Sequence, residues 1–374
     1  MSSSMVSVSR RAAVLQAASA GVAMAQGGAA RAKVGLIGNG NRGTAHLGAY
    51  VKMPEIQVTA LSDLDGTRMD AYNAKLGGGA TKYVDWRELI RDKNVEVVAI
   101  ATPNFLHPEM AIAALRAGKH VLLEKPIAIN YQLAKQIEAE AKKSGKVFAV
   151  GMQRRYRPMD AHVQQLVDSG LIGDVKFINI AEYRGDWSPR GWHYKDPKTG
   201  RTANWRFLKS ATGSTELEFS VHAFSQVVQL VKSPLARCQA SGATMFYKDH
   251  ETRDVCEGLI DFANGVRLTY TFCLFATGTP GRTVIVGDKG VLRYGEDGAL
   301  LLDSAAGKGK TPPPLTGHSG ETAEVLMYKE FLSAIREKRQ SVLSAAAAMD
   351  AAKLAWAMEI ATVENRVVTG KDFS

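Results

Sequence analysis

The sequence predicts a doubly wound α/β domain on a parallel sheet, followed by an α+β domain built on a mostly antiparallel, open sheet. Three observations carry this. Between Lys33 and about Val150, short apolar runs at 34–37, 56–61, 95–101, 120–123 and 146–150 alternate with helical patterns such as Pro108–Ala117 and Tyr131–Ser144. Alternating β and α of this length builds a parallel sheet covered by helices. From Gly151 onward, one helix at about Met159–Ser169 precedes strand-like segments in series at 174–183, 236–247, 255–262, 265–275, 282–287 and 290–293. The 374 residues suffice for two domains at about 150 residues each.

In chain order, residues 1–32 are expected to lie outside the fold. Arg10-Arg11 precedes a weakly apolar run, Ala12–Ala25, and Ala23-Met24-Ala25 has the small-x-small pattern of a cleavage site before Gln26. This reads as an export signal. The paired arginines resemble the twin-arginine type, which carries folded proteins across a membrane, although Ala13 replaces the usual large apolar residue. A periplasmic location is the expectation, with a disordered tail on a cytoplasmic protein as the alternative. Residues 33–150 form the first domain and 151–374 the second.

The composition is 45% hydrophobic and 22% charged, with a formal net charge of +10. No long Lys/Arg run or nucleic-acid motif accompanies that charge, so no nucleic-acid partner is expected. No later run of about 18 apolar residues exists, so no membrane span is expected. Cys238, Cys256 and Cys273 are far apart and odd in number, which suits thiols packed among apolar neighbours better than a disulfide framework or a metal site.

The first apolar run ends in Gly38-Asn39-Gly40-Asn41-Arg42-Gly43, a G-x-G-x-x-G turn from which a helix starts. The first glycine allows the tight turn, the second lets a pyrophosphate approach the backbone, and the third lets the helix lie close on the strand. The helix N-terminus offers free N–H groups to phosphates. Asp63, at the end of the second run and about 20 residues past the turn, is the acid expected to accept from a ribose 2′-hydroxyl and to favour NAD over NADP. Arg68 is the nearby group that could reverse that preference.

Two further strand ends carry polar residues where a cofactor would lie: Thr102-Pro103-Asn104 with His107, and Glu124-Lys125-Pro126. Burial beside a positive nicotinamide ring would move Lys125 towards a useful pKa.

Together with Gly151-Met152-Gln153-Arg154-Arg155-Tyr156, these stretches resemble the glucose–fructose oxidoreductase, inositol dehydrogenase and MocA family of sugar oxidoreductases. The resemblance runs from Lys33 to Gly370, and Glu-Lys-Pro is its most specific piece. It implies that Lys125 contacts a substrate hydroxyl near the nicotinamide. It further implies that Trp205-Arg206 lies near the cofactor and that the open sheet packs against another copy, giving a dimer or tetramer.

In the second domain the chemistry falls in 182–222. Glu218 and His222 are spaced i, i+4 and share a helix face, so the carboxylate is expected to orient the imidazole and raise its pKa. In the family, an acid four residues before a histidine sits at this place, usually Asp. The longer Glu arm here could move the hydrogen-bonding point, and Gly213 stands where a Gly-Gly pair is usual. Glu216, Glu218 and His222 lack a clear fourth ligand, so no metal is expected. The aromatic stretch from Tyr183 to Arg206 offers Asp186, Trp187 and His193 to a sugar, and Arg155 and Tyr156 are expected to help position it; for any single ring, packing the domain interface is the more common alternative. Residues 305–320, with Pro312-Pro313-Pro314, read as a loop, and an Ala-rich helical region from about Glu321 to Asn365 closes the chain.

The expected activity is hydroxyl–carbonyl interconversion on a sugar, polyol or glycoside with a tightly held NAD. His222 is the general acid/base, Glu218 its orienting group, and Lys125 the group that stabilises the alkoxide. Two alternatives stay open: an NAD-dependent glycosidase that oxidises its sugar transiently, and a non-enzymatic dinucleotide and sugar sensor.

Overall fold

The computed structural model describes residues 31–185, 193–195, 202–295, 298 and 300–374. The first domain is a six-stranded parallel sheet in the order β3-β2-β1-β4-β5-β6. Its strands are β1 Ala32–Ile37, β2 Ile56–Ser62, β3 Thr81–Tyr83, β4 Val97–Ile100, β5 His120–Glu124 and β6 Phe148–Gly151. The helices are α1 Asn41–Tyr50, α2 Gly66–Lys75, α3 Trp86–Arg91, α4 His107–Arg116 and α5 Tyr131–Ser144. All four residues of β4 are buried, as expected of a strand covered by helices on both faces. The expected runs at 95–101 and 146–150 shift by one or two residues, because burial extends past the strand register: Val95 and Val147 are buried but lie just before the paired residues. Helix α5 starts where Asn130 caps the Leu133 amide and ends at Gly145, whose φ of 63° puts it in the left-handed region.

Strand order reverses at β1, which lies between β2 and β4. Chains leaving these neighbouring strands diverge to opposite sides, and a crevice opens at their carboxyl ends. Gly38, Asp63, Thr102 and Glu124 all sit on that edge.

The second domain begins with α6 Pro158–Asp168 and β7 Val175–Tyr183. A two-stranded ribbon, β8 His193–Lys195 with β9 Thr202–Asn204, follows. Helices α7 Lys209–Thr212 and α8 Thr215–Val231 come next. Strands β10 Leu235–Ala243, β11 Val255–Phe262, β12 Arg267–Cys273, β13 Arg282–Gly287, β14 Gly290–Gly295, β15 Leu300–Ser304, β16 Gly307–Lys310 and β17 Val368–Thr369 complete a nine-stranded sheet with β7. Its order is β16-β15-β14-β13-β7-β12-β11-β10-β17. Among the described residues only the β7–β12 pairing is parallel.

The reading of 305–320 as a loop is corrected at its start, where Gly307–Lys310 forms the edge strand β16. Its Gly-Lys alternation buries nothing, so no apolar period marks it. The Ala-rich terminus divides into α9 Ala323–Arg336 and α10 Ala345–Glu364. Helix α10 is buried between α8, β10 and α5, while α9 crosses back onto α1 of the first domain. Cys238 and Cys256 are buried free thiols, and burial pushes the Cys238 thiol up to about 12. No helix among the described residues is long and apolar enough to cross a membrane.

Candidate active site

A cleft of about 970 Å³ runs along the carboxyl edge of the parallel sheet. Asp63 and Arg68 line one end, the glycine turn its middle, and Glu124, Lys125, Trp205, Arg206 and Glu218 the other.

The turn is built as its glycines require. Gly38 has φ +91°, and a Cβ there would lie 2.6 Å from the Ala101 carbonyl oxygen. A Cβ on Gly43 would lie 2.3 Å from the Gly38 oxygen, so the third glycine sets the helix–strand approach and sits behind the cleft. Gly40 faces open space, with Arg68 Nη1 the nearest atom at 3.8 Å. It is also the N-cap of α1 and brings no side-chain cap, leaving the first helical N–H groups without side-chain acceptors. Asn39 is 2% exposed, yet neither side-chain polar atom has a partner among the described residues. Room at Gly40, uncapped amides and an unpartnered amide side chain fit a bound dinucleotide pyrophosphate. Asp63 is held by two backbone amides, from Asn39 at 2.6 Å and Asp65 at 2.9 Å. Each carboxylate oxygen keeps a lone pair for a ribose hydroxyl.

At the opposite end, side chains from three elements converge on one carboxylate of α8. Lys125 Nζ lies 2.8 Å from Glu218 Oε1 and donates to the Glu218 carbonyl oxygen at 2.9 Å. Arg206 Nε is 3.2 Å from the same Oε1, and Asn104 Nδ2 donates to Oε2 at 3.0 Å. Ser214 caps α8 through the Leu217 amide, which places Glu218 in the first turn, where the helix dipole favours a negative charge. Burial disfavours the Glu218 carboxylate, but Lys125 and Arg206 outweigh it and its pKa falls below the ordinary value. Burial lowers the Lys125 pKa, and Glu218 only partly offsets this.

His222 lies one turn further along α8, partly buried, with no hydrogen-bond partner for Nδ1 among the described residues. Burial, then the fields of Lys125 and Arg154, push its pKa well below 6.5. Arg154 Nη1 donates to Glu182 Oε1 at 3.1 Å, and the Tyr270 hydroxyl donates to Glu182 Oε2 at 2.6 Å.

Two models of one family match the chain. The oxidoreductase family's NAD-binding Rossmann fold matches residues 32–152, and the GFO/IDH/MocA C-terminal domain matches residues 161–293. The chain belongs to the GFO/IDH/MocA oxidoreductase family. Among curated relatives, a levoglucosan dehydrogenase of Pseudarthrobacter phenanthrenivorans is 34% identical over 206 residues, covering 53% of this chain and 50% of the relative. An inositol 2-dehydrogenase of Salmonella typhimurium is 34% identical over 168 residues, 44% of this chain and 49% of the relative. The chain spans about half the length of these curated relatives. An oxidoreductase domain protein from Kribbella flavida superposes with TM-score 0.79 at 25% identity, covering 91% of this chain and 99% of that one. A levoglucosan dehydrogenase in complex with NADH has the same fold, with TM-score 0.76 at 24% identity and coverage of 91% and 99%.

Within this GFO/IDH/MocA frame, most expected cofactor residues line the cleft: Gly38 to Arg42, Asp63, Thr102 to Asn104, Glu124, Lys125, Trp205 and Arg206. Three expectations are corrected. His107 is fully buried behind the cleft, its ring packed between the carbonyl oxygens of Pro126 at 2.8 Å and Thr102 at 3.0 Å, to one of which a neutral ring donates. Glu218 does not orient His222 or raise its pKa, because its longer arm reaches Lys125, Arg206 and Asn104 instead. Arg155 donates to the Val342 carbonyl at 2.9 Å, and Tyr156 packs against the core beside Glu330, both facing the C-terminal helices. Glu216 leaves the cleft to pair with Arg253 at 2.6 Å, and no metal-holding cluster exists among the described residues.

Asp186, Trp187 and the His193 side chain lie outside the described residues. Arg154 and Glu182 are what the sequence reading missed. Residues Gln153–Tyr156 form a 3-10 turn, in which neighbours point about 120° apart, so the Arg154-Arg155 doublet sends one side chain towards His222 and the other away.

Proposed function

We propose that this chain is an NAD-dependent oxidoreductase that interconverts a hydroxyl and a carbonyl on a sugar, polyol or glycoside. One observation carries the reading: at the end of the cleft opposite Asp63, a desolvated Lys125 is braced by Glu218 beside a histidine whose pKa is lowered. Bound NAD supplies the hydride acceptor. His222, kept neutral by its surroundings, takes the hydroxyl proton as the carbonyl forms. Lys125 donates a hydrogen bond to the same oxygen and stabilises its developing negative charge, while Glu218, itself held by Asn104, fixes the ammonium in place. Arg154 and Glu182 offer a donor and an acceptor to neighbouring hydroxyls. In the reverse direction His222 returns the proton.

The test is incubation of the protein with NAD and a panel of sugars, polyols and glycosides, reading cofactor absorbance together with products by mass spectrometry. Cofactor reduction with a carbonyl product supports the reading. Free sugar from a glycoside without net reduction would replace it with the glycosidase, and binding without turnover would replace it with the sensor.

The same reading extends to location and assembly. Arg10-Arg11 and Ala23-Met24-Ala25 support export of a folded protein with NAD already held, which near-stoichiometric nucleotide in periplasmic preparations would bear out. Leu259, 57% exposed on the open face of the nine-stranded sheet, supports a homo-oligomer, measurable by sedimentation.

A further inference from the structure

Behind the catalytic end of the cleft runs a buried polar chain that the reaction does not use. Glu124 ends β5 and lines the cleft. Its Oε1 accepts from Arg42 Nε at 3.0 Å and Nη2 at 2.8 Å, and its Oε2 accepts from the Lys125 amide at 3.2 Å. His46, fully buried on α1, brings Nε2 to 3.1 Å from Oε1, off the line of a straight hydrogen bond. The His46 Nδ1 meets the Tyr328 hydroxyl of α9 at 2.8 Å, and Tyr328 is bonded in turn to the Tyr50 hydroxyl. Tyr328 and Tyr50 are 0% and 4% exposed. The chain therefore ends inside the protein and offers no proton a path to solvent.

It is instead an orienting device. In a neutral His46 ring, the Glu124 carboxylate 3.1 Å from Nε2 favours the tautomer with the proton on Nε2, which leaves Nδ1 to accept from the Tyr328 O–H. In a charged ring both nitrogens carry protons. Either way an N–H faces Glu124. Edge-on packing of Tyr328 against both His46 and Tyr50, with centroids 5.7 and 5.0 Å apart, fixes the rings. Gly151 leaves the carboxylate its room: a Cβ there would sit 3.2 Å from Glu124 Cδ. Burial opposes the charge, but Arg42 and His46 hold the Glu124 carboxyl well below the usual carboxylate range.

We propose that His46 and Tyr328 are positioning residues that hold Glu124 as a fixed anion in the nicotinamide end of the cleft, so that Glu124 shifts binding towards the cationic, oxidised nicotinamide relative to the neutral, reduced one, against the positive charges of Arg42, Lys125 and Arg206. The inference rests on the NAD reading above. Asp63, on β2, marks the adenosine end, and β5 lies on the other side of β1, so Glu124 belongs to the redox end. A fixed charge there distinguishes the two redox states, whereas contacts to phosphate and ribose do not. The second domain, through α9, thereby takes part in setting cofactor preference.

The test measures the dissociation constants of NAD+ and NADH separately by fluorescence titration for the wild type, Glu124→Gln and Tyr328→Phe, with thermal unfolding of each. Glu124→Gln keeps the shape and removes the charge. It is expected to weaken NAD+ about tenfold more than NADH, the effect of a unit charge several ångströms away at intermediate dielectric. Tyr328→Phe removes only a hydroxyl outside the cleft lining and is expected to shift the ratio in the same direction by about threefold; it carries the test if Glu124→Gln fails to fold. Equal weakening of both nucleotides would make the chain merely structural and overturn the proposal. Failure of the wild type to bind either nucleotide would overturn the cofactor reading and this inference with it.

Discussion

The two ends of the cleft are built on different principles. From the middle of the cleft to the adenosine end, backbone does the recognising: a glycine with room beside it, uncapped helix amides, and Asp63 held by two N–H groups. At the nicotinamide end, side chains from β5, α8, the 102–104 loop and the Trp205–Phe207 turn form a buried lattice of alternating charge. A backbone site depends on local geometry and tolerates changes of charge. A desolvated charge lattice tolerates neither, because removing one partner leaves another buried and unpaired. Variants should therefore separate cleanly into those that lose binding and those that lose turnover.

The largest expected effect lies at the charge lattice. Lys125→Ala is expected to lower kcat about 10²- to 10⁴-fold, while NAD affinity, held at the other end, changes only a few-fold. Steady-state kinetics on a confirmed substrate beside nucleotide titration measures both, and a collapse of NAD binding would break the division between the ends.

The glycine turn sharpens it from the other side. Gly43→Ala forces a Cβ to 2.3 Å from a backbone oxygen, so α1 must move; a loss of about 1–3 kcal/mol of stability together with NAD affinity is expected. Gly40→Ala has space in the free protein, and its φ is −80°. It should leave the unfolding temperature unchanged and weaken NAD about tenfold, since the methyl group occupies the phosphate's approach. Calorimetry with and without NAD distinguishes the two.

Asp63→Ala is expected to reduce the preference for NAD over NADP about 10- to 150-fold, in line with one charged hydrogen bond of about 1.5–3 kcal/mol. Paired titrations with the two nucleotides check it, and kcat with saturating NAD should hold.

The smallest effect is in the pH profile. His222 titrates well below 6.5, so its neutral, proton-accepting form persists as pH falls. His222 should therefore add no loss of kcat/KM between pH 8 and about 6, around the ordinary histidine pKa; the acid loss comes only through the lowered value. Lys125, with its pKa below 10.5, should bring the alkaline loss earlier than a free lysine would. A pH series for kcat/KM shows both limbs.

This division also explains what the sequence made legible. The adenosine end is local in the chain: three glycines within six residues and an acid 20 residues after the last can be found by spacing alone. The lattice is not local. Lys125 reaches a residue 93 positions away, and no periodicity announces that Glu218 will turn to it instead of to His222 on its own helix. The i, i+4 spacing correctly placed both residues on α8 but could not choose between partners. Arg154 and Arg155 are adjacent and chemically identical, and only the 3-10 turn decides which one faces His222. His107 lies between two cofactor-facing loops in sequence, yet both its nitrogens are turned to backbone carbonyls inside the core. Edge strand β16 has one neighbour, β15, and buries nothing, so it leaves no apolar trace.

The measurement that bears most directly on the central claim is a single-turnover experiment. NAD-loaded protein is mixed with a sugar substrate deuterated at the carbinol carbon, and the nicotinamide is then recovered and weighed by mass spectrometry. The account predicts one deuterium on the nicotinamide of the wild type and a rate at least a hundredfold lower in Lys125→Ala. Unlabelled nicotinamide from a protein that still converts the sugar would contradict it.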